Sequence, residues 1–331
     1  LESAQTFSEL EAGKLVVKVA SGNAITETGP ADSSWDIATA FSKPETGLLI
    51  TSGHATERGW QIGFRYKNGT WKSKGGDLFA VDLKGESKAI HSPSPKVYLP
   101  IGNCLMGHID GPDAMALAFM KSAGVRQMAG YTLPTWYGYQ GWGLIDYFVE
   151  QPGRYSLTDA FFANQAALIQ RLQIHFPEIA NEESDSPMGK ISKPIPVGAA
   201  AKSAGLNSQD ANGLLFDRDV VAFYGDPAWD ARLANGPLQW KESWKQETKG
   251  GSLEITPLAG ESSFAPINTN GSQRGHRPIV RFFDHRIDPA SVKITERADL
   301  KPVITDDFLL LPLPAKASGP LRVAFTATAA E

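Results

Sequence analysis

Cysteine is almost absent from this chain: Cys104 is the only one in 331 residues. A single thiol cannot close an internal disulfide or build a cysteine-rich zinc site, so Cys104 is either a small buried hydrophobe or a reactive thiol. Long apolar runs are also missing. No stretch approaches the roughly 18 consecutive apolar residues of a membrane-spanning helix, so no membrane insertion is expected. Positive charge is scarce and scattered, with 32 Lys and Arg against 36 Asp and Glu, a net charge of −4 and no basic stripe. A nucleic-acid partner is therefore not expected. The 32 glycines and 22 prolines follow no collagen-like period, and no internal repeat is visible. What remains, 42% hydrophobic and 21% charged, is an ordinary globular composition, long enough for two domains. The chain starts at Leu1, not methionine, which fits an exported or extracellular bacterial protein that has lost a leader.

Two short hydrophobic runs each end in a chemically reactive side chain. Gly47-Leu48-Leu49-Ile50-Thr51-Ser52-Gly53 leads to His54, and Val97-Tyr98-Leu99-Pro100-Ile101-Gly102-Asn103 leads to Cys104. Continuous apolar runs of this length read as buried parallel strands. Side by side, two such strands bring the imidazole and the thiol to the same carboxyl edge of a sheet.

The surrounding pattern agrees with an α/β domain. Leu15-Val16-Val17-Lys18-Val19, Leu78-Phe79-Ala80-Val81-Asp82-Leu83 and Val125-Arg126-Gln127-Met128-Ala129-Gly130 are further strand candidates. Asp113 to Lys121 forms a helix closed by Gly124, giving a strand–helix–strand crossover. Trp60 to Trp71 alternates with period two and contains Asn68-Gly69, the signal of a hairpin inserted after the histidine. A short helix is expected from Gly143 to Gln151, and a longer one from Ser156 to Phe176, stopped by Pro177. A polar loop spans Asn181 to Lys190, and Val220 to Tyr224 closes the domain. Beyond about Pro237 the pattern changes to short strands without helices, which points to a β-sandwich of the immunoglobulin type. The expected division is residues 1–235 and 236–331.

A free thiol is mostly protonated at neutral pH, so a nucleophilic cysteine needs a neighbouring base. His54 fits that part, taking the thiol proton and later returning one to a leaving amine. Backbone N–H groups of Ala55 and Cys104, at turns relaxed by Gly53 and Gly102, are the natural oxyanion donors. The competing reading makes Cys104 inert packing.

Ser52-Gly53-His54-Ala55 and Asn103-Cys104-Leu105-Met106-Gly107, each after an apolar run, resemble the paired signatures of the clan CD cysteine peptidases, which include caspases, legumains, gingipains and clostripain. Cys-Leu-Met-Gly is similar to the clostripain family. Gly225-Asp226-Pro227 followed by a β-rich tail is similar to the gingipain family. Over residues 40 to 230 the resemblance implies a caspase-like, mostly parallel sheet flanked by helices, followed by an immunoglobulin-like β-sandwich. It implies a thiol protease acting on peptide or protein substrates, with His54 as base and Cys104 as nucleophile. No organic cofactor is implied, and calcium is admitted as a loop stabiliser. Two departures stand out: Ala55 where many relatives have glycine, and Gly102-Asn103 where clostripain-like proteins commonly have Asp-Ala.

The resemblance also implies a basic residue on the acyl side of the cleaved bond, held by an acidic group. Asp110, Asp113, Glu57 and Asp146 are the candidates, each equally readable as a surface or helix-start carboxylate. Trp136, Tyr137, Tyr139 and Trp142 crowd the loop after the strand that follows Cys104, either lining substrate subsites or packing a rigid loop. His108, with His54 and Asp110, offers a weaker metal-site reading, without HExxH spacing; otherwise it sits at the start of the helix. His91, His175, His276 and His285 read as surface or loop residues. Against the peptidase stand two alternatives, a non-catalytic peptidase-like binding module and a metal-dependent hydrolase.

Overall fold

A computed structural model describes residues 6–7, 15–18, 24–27, 31–184, 195–258, 273–275, 277–312 and 319–330. His276 and residues 185–190 of the expected polar loop lie outside the described residues. The chain divides into two compact units, residues 1–141 with 174–231, and residues 142–173 with 232–331. Residues 142–173, which the sequence reading grouped with the first domain, belong to the second unit.

The first unit opens with an antiparallel meander of β1 (Thr6–Phe7), β2 (Leu15–Lys18) and β3 (Ala24–Glu27). The Leu15 run was expected in the main sheet, but among the described residues it pairs only with its sequence neighbours. Short-range pairing closes smaller loops than a crossover does, at lower entropic cost. Helix α1 (Ser34–Ser42) precedes β4 (Leu48–Ser52). Next come β5 (Ala55–Thr56), β6 (Gly59–Gln61), β7 (Thr70–Lys74), β8 (Asp77–Val81) and β9 (Ser87–Ile90), a five-stranded antiparallel sheet in sequence order. The expected hairpin is β6–β7, with Trp60 opposite Trp71. The Leu78 run is β8, not a strand of the parallel sheet. Gly75 and Gly76, with φ of 61° and 76°, join Lys74 to Asp77 in the two-residue turn that folds β7 and β8 into a hairpin.

Strand β10 (Lys96–Gly102), helix α2 (Met115–Ser122) and β11 (Val125–Tyr131) form the expected parallel crossover. Helix α3 (Tyr139–Leu144) continues as a π-helical turn over Ile145–Val149, and α4 runs Leu157–His175. Helices α5 (Ala199–Ser203) and α6 (Ser208–Asp219) lead to β12 (Val221–Gly225). The four-stranded sheet has the order β12-β11-β10-β4, parallel except for β12. Strand β10 is central and almost wholly buried, but β4 is an edge strand with Ile50 37% exposed. The fully buried Phe119 of α2 touches Tyr98 of β10 at 4.1 Å and Trp71 of β7 at 6.0 Å. One core thus joins the four-stranded sheet, α2, the five-stranded sheet and Phe41 of α1.

In the second unit, β13 (Trp240–Glu247), β14 (Gly250–Pro257), β15 (Ile279–Phe282), β16 (Lys293–Glu296), β17 (Val303–Ile304), β18 (Phe308–Leu311) and β19 (Leu321–Thr326) form two antiparallel sheets. Their orders are β13-β14-β19-β16 and β15-β18-β17. Leu253, Ile255, Val323 and Phe325 from the first and Ile279, Leu309 and Leu311 from the second share one core. Tyr147 and Tyr155 donate hydrogen bonds to the carbonyls of Pro278 and Val280 at 2.6 and 2.7 Å. The described chain is mixed α/β with several sheets, and no described helix is long and apolar enough to cross a membrane.

Candidate active site

Strands β4 and β10 are parallel neighbours, and Ser52 pairs with Gly102 at their carboxyl ends. His54 and Cys104 each follow two residues later, so the two side chains leave adjoining strand ends at the same level of the sheet. Two glycines shape these adjoining strand ends, for different reasons. Gly53 has φ of 147°, a region side chains rarely adopt. Gly102 is needed for space, because a Cβ there would lie 2.2 Å from Ser52 Oγ.

The register is not regular up to this point. Between Leu99 and Gly102 the β10 side gains a residue over β4, a bulge in the stretch that holds Pro100 and Ile101. The main-chain bond beyond the bulge, Gly53 N–H to Gly102 O, is long at 3.4 Å. A buried polar network spans the gap. Asn103 Nδ2 donates to Gly53 O at 3.1 Å, and Thr51 Oγ1 donates to Asn103 Oδ1 at 2.7 Å. Thr51 has one hydroxyl proton, so the 2.9 Å contact with Tyr98 is a donation from the phenol. Burial pushes the Tyr98 phenol well above its ordinary range, which keeps that donor protonated.

Cys104 is half-buried and heads a tight turn. Its Sγ donates to Thr135 O at 3.8 Å. Leu105 has φ of 59°, a left-handed conformation that costs an ordinary side chain about 1–2 kcal/mol. The turn is held by Leu105 N–H to Leu133 O (3.4 Å), Gly107 N–H to Tyr131 O (2.8 Å) and His108 N–H to Leu105 O (2.9 Å). Residues held in sparsely populated backbone conformations cluster at active sites, ligand clamps and switch regions. Among the described residues the Cys104 N–H has no hydrogen-bond acceptor. His54 O accepts from Gln61 N–H at 2.8 Å, so alternation along the β5–β6 ladder turns the Ala55 N–H away from β6. His54 is exposed, and its ring meets Phe64 edge-on at 5.2 Å.

Three of the four acidic candidates gather around one cation. Arg58 lies 3.9 Å from Glu57, 2.6 Å from Asp110 and 3.5 Å from Asp113. Met115 N–H at the start of α2 donates to Glu57 O at 2.7 Å. Asp146 is the exception. In the second unit it is 95% buried between Arg274 Nε at 3.2 Å and Arg277 Nε at 3.0 Å. Two guanidinium groups neutralise it, so it cannot supply the charge of a substrate pocket. Trp142 stacks under Arg274 at 5.0 Å in the same unit.

The aromatic loop reaches the cysteine turn through Leu133 and Thr135, but its rings are engaged in packing. The rings of Trp136 and Phe216 have centroids 6.0 Å apart, and Tyr137 donates to Asp210 at 3.0 Å, its ring so close to Gly213 of α6 that a Cβ there would lie 2.2 Å from it. Tyr139 is buried at the start of α3. Trp136 and Tyr137 remain half-exposed. His108 belongs to the segment after the Cys104 turn and not to the start of α2, which begins at Met115. Among the described residues no three His, Cys, Asp or Glu side chains gather as a metal-binding group. His91 and His285 are exposed and His175 is half-buried. Sequence reasoning missed Thr51, Asn103 as a structural tie, and Thr135. The chain matches no family model, no curated protein and no solved structure.

Proposed function

We propose that this protein is a cysteine endopeptidase that cleaves peptide bonds through a thioester formed on Cys104. The observation that carries the reading is the pairing of Ser52 with Gly102 on adjacent parallel strands, two residues before His54 and Cys104. His54 takes the thiol proton, and Sγ attacks the peptide carbonyl carbon. The N–H groups of Cys104 and Ala55 receive the developing oxyanion. Collapse breaks the C–N bond, and the imidazolium protonates the departing amine. Water, deprotonated by His54, then hydrolyses the thioester, releasing the carboxylic acid and restoring the thiol. On this reading the four-stranded sheet is a caspase-like scaffold, and the paired antiparallel sheets of the second unit are an immunoglobulin-like sandwich. Three carboxylates against one guanidinium leave the cluster at Arg58 negative, which favours a Lys or Arg side chain next to the cleaved bond.

The test is alkylation of the native chain with iodoacetamide as a function of pH, paired with cleavage of a mixed peptide library. Selective labelling of Cys104 that vanishes in His54→Ala, with cleavage lost in both His54→Ala and Cys104→Ala, supports the peptidase. A thiol inert until denaturation, without cleavage, leaves a non-catalytic binding module. Cleavage that resists alkylation and yields to chelator identifies a metal-dependent hydrolase.

A further inference from the structure

The residue before the proposed nucleophile is fully buried and polar, which is costly unless it is satisfied. We infer that Asn103 is a positioning residue, its side-chain amide tying the residue before the cysteine to the residue before the histidine and so fixing the spacing of thiol and imidazole. The inference rests on the cysteine-peptidase reading and adds a specific device to it. In a regular parallel ladder, main-chain bonds would hold the two strand ends together. Here the bulge removes that regularity, and the main-chain bond beyond it, Gly53 N–H to Gly102 O, stretches to 3.4 Å.

The amide of Asn103 replaces what the ladder loses. Its Nδ2 holds Gly53 O at 3.1 Å, directly before His54. Its Oδ1 is held by Thr51 Oγ1 at 2.7 Å, on the same strand as the histidine. Its own carbonyl accepts from Thr135 Oγ1 at 3.3 Å, while Thr135 O accepts from Cys104 Sγ. Gly53 thus adjoins His54 in the chain, Thr51 lies on the strand that leads to it, and Thr135 contacts Cys104. The amide fits both side-chain bonds because it carries a donor and an acceptor on one planar group. A carboxylate would face the Gly53 carbonyl oxygen without a proton to share.

The experiment compares wild type, Asn103→Ala, Thr51→Val, Thr51→Ser and His54→Ala as full chains. The readouts are the iodoacetamide rate constant of Cys104 from about pH 6 to pH 9, across the ordinary His and Cys range, and kcat and KM on a cleaved peptide. In Asn103→Ala and Thr51→Val the rate near pH 6 should fall roughly 10- to 100-fold, the scale of a misplacement of about 1 Å. It should approach the His54→Ala value, with kcat falling and KM little changed. Thr51→Ser, which keeps the hydroxyl, should restore the wild-type profile. Thr51→Val matches the shape of threonine, so it carries the test if Asn103→Ala does not fold. Wild-type profiles in folded Asn103→Ala or Thr51→Val, with His54→Ala still impaired, overturn the inference and leave the peptidase intact. An unchanged rate in His54→Ala overturns both.

Discussion

Raising the pH from about 4 to neutrality should destabilise the first unit, and the cause is a single carboxyl group. Asp217, near the end of α6, is fully buried. Its Oδ2 accepts from Gln140 N–H at 2.9 Å and from Tyr131 OH at 3.2 Å, and Tyr131 OH accepts from Gly141 N–H at 3.1 Å. Burial pushes its pKa from the ordinary 3.8 up to about 7, and the donors at Gln140, Tyr131, Tyr139 and Gly138 offset only part of the loss of water. The folded state therefore holds this proton more tightly than the unfolded chain. Its contribution to stability is fully present below about pH 4, shrinks as the pH rises, and is gone above about pH 7. The difference of roughly three pKa units corresponds to about 4 kcal/mol. Asp217→Asn keeps the shape and has no proton to lose, so subtracting it removes the titration of every other group. The gap in urea midpoint between variant and wild type should move by roughly 1–2 M in favour of the variant between pH 4 and pH 8, for an m-value of about 2–3 kcal/mol/M. A gap that stays constant with pH refutes the reasoning. So does one that moves in favour of the carboxylate.

Asp146→Asn should cost the second unit about 3–5 kcal/mol, the scale for stranding a buried charge, because Arg274 and Arg277 lose their shared partner. Thermal unfolding measures the loss, and cleavage-site preference of the folded variant should not change. Arg58→Ala should have little effect on stability, since its ion pairs are partly exposed. It leaves Glu57, Asp110 and Asp113 uncompensated, so kcat/KM for peptides with Lys or Arg before the cleaved bond should rise and depend more steeply on salt. A fall, or an equal change for neutral peptides, would separate this cluster from substrate binding.

How much of the fold was legible depended on whether the signal was local. Strands β10 and β11 and helix α2 were readable because a buried parallel pair and its crossover need apolar runs and a capped helix, whatever surrounds them. Helix α4 was readable from Ser156 and Pro177, and Ser156 does accept from Asp159 N–H at 3.0 Å. Two local signals went unused. Gly75-Gly76 between alternating segments marks the β7–β8 hairpin, and Asn207 with Asp210 is the capping box that starts α6. The edge position of β4 was not legible at all. Its run is as apolar as that of β10, and only the pairing of other strands decides which of the two becomes the edge.

The placement of His54 and Cys104 just beyond paired positions of β4 and β10 was legible because each sits at the end of its own run. The support around it was not, because the partners of Asn103 lie at positions 51, 53 and 135 and gain meaning only once the strands are adjacent. Asp146 was misread for the same reason. Its charge is cancelled by arginines far away in sequence, and no local pattern distinguishes a paired buried carboxylate from a pocket acid. Pro100 is the exception that links the two levels. A proline inside an otherwise central strand cannot donate to the ladder, so it predicts a bulge wherever it is tolerated. Beyond that bulge the long main-chain bond is joined by the side-chain bonds of Asn103 to Gly53 O and Thr51 Oγ1. The bulge, the amide of Asn103 and the Cys104 turn follow directly on one another, and on the proposed reading the amide restores the tie that the bulge loosens.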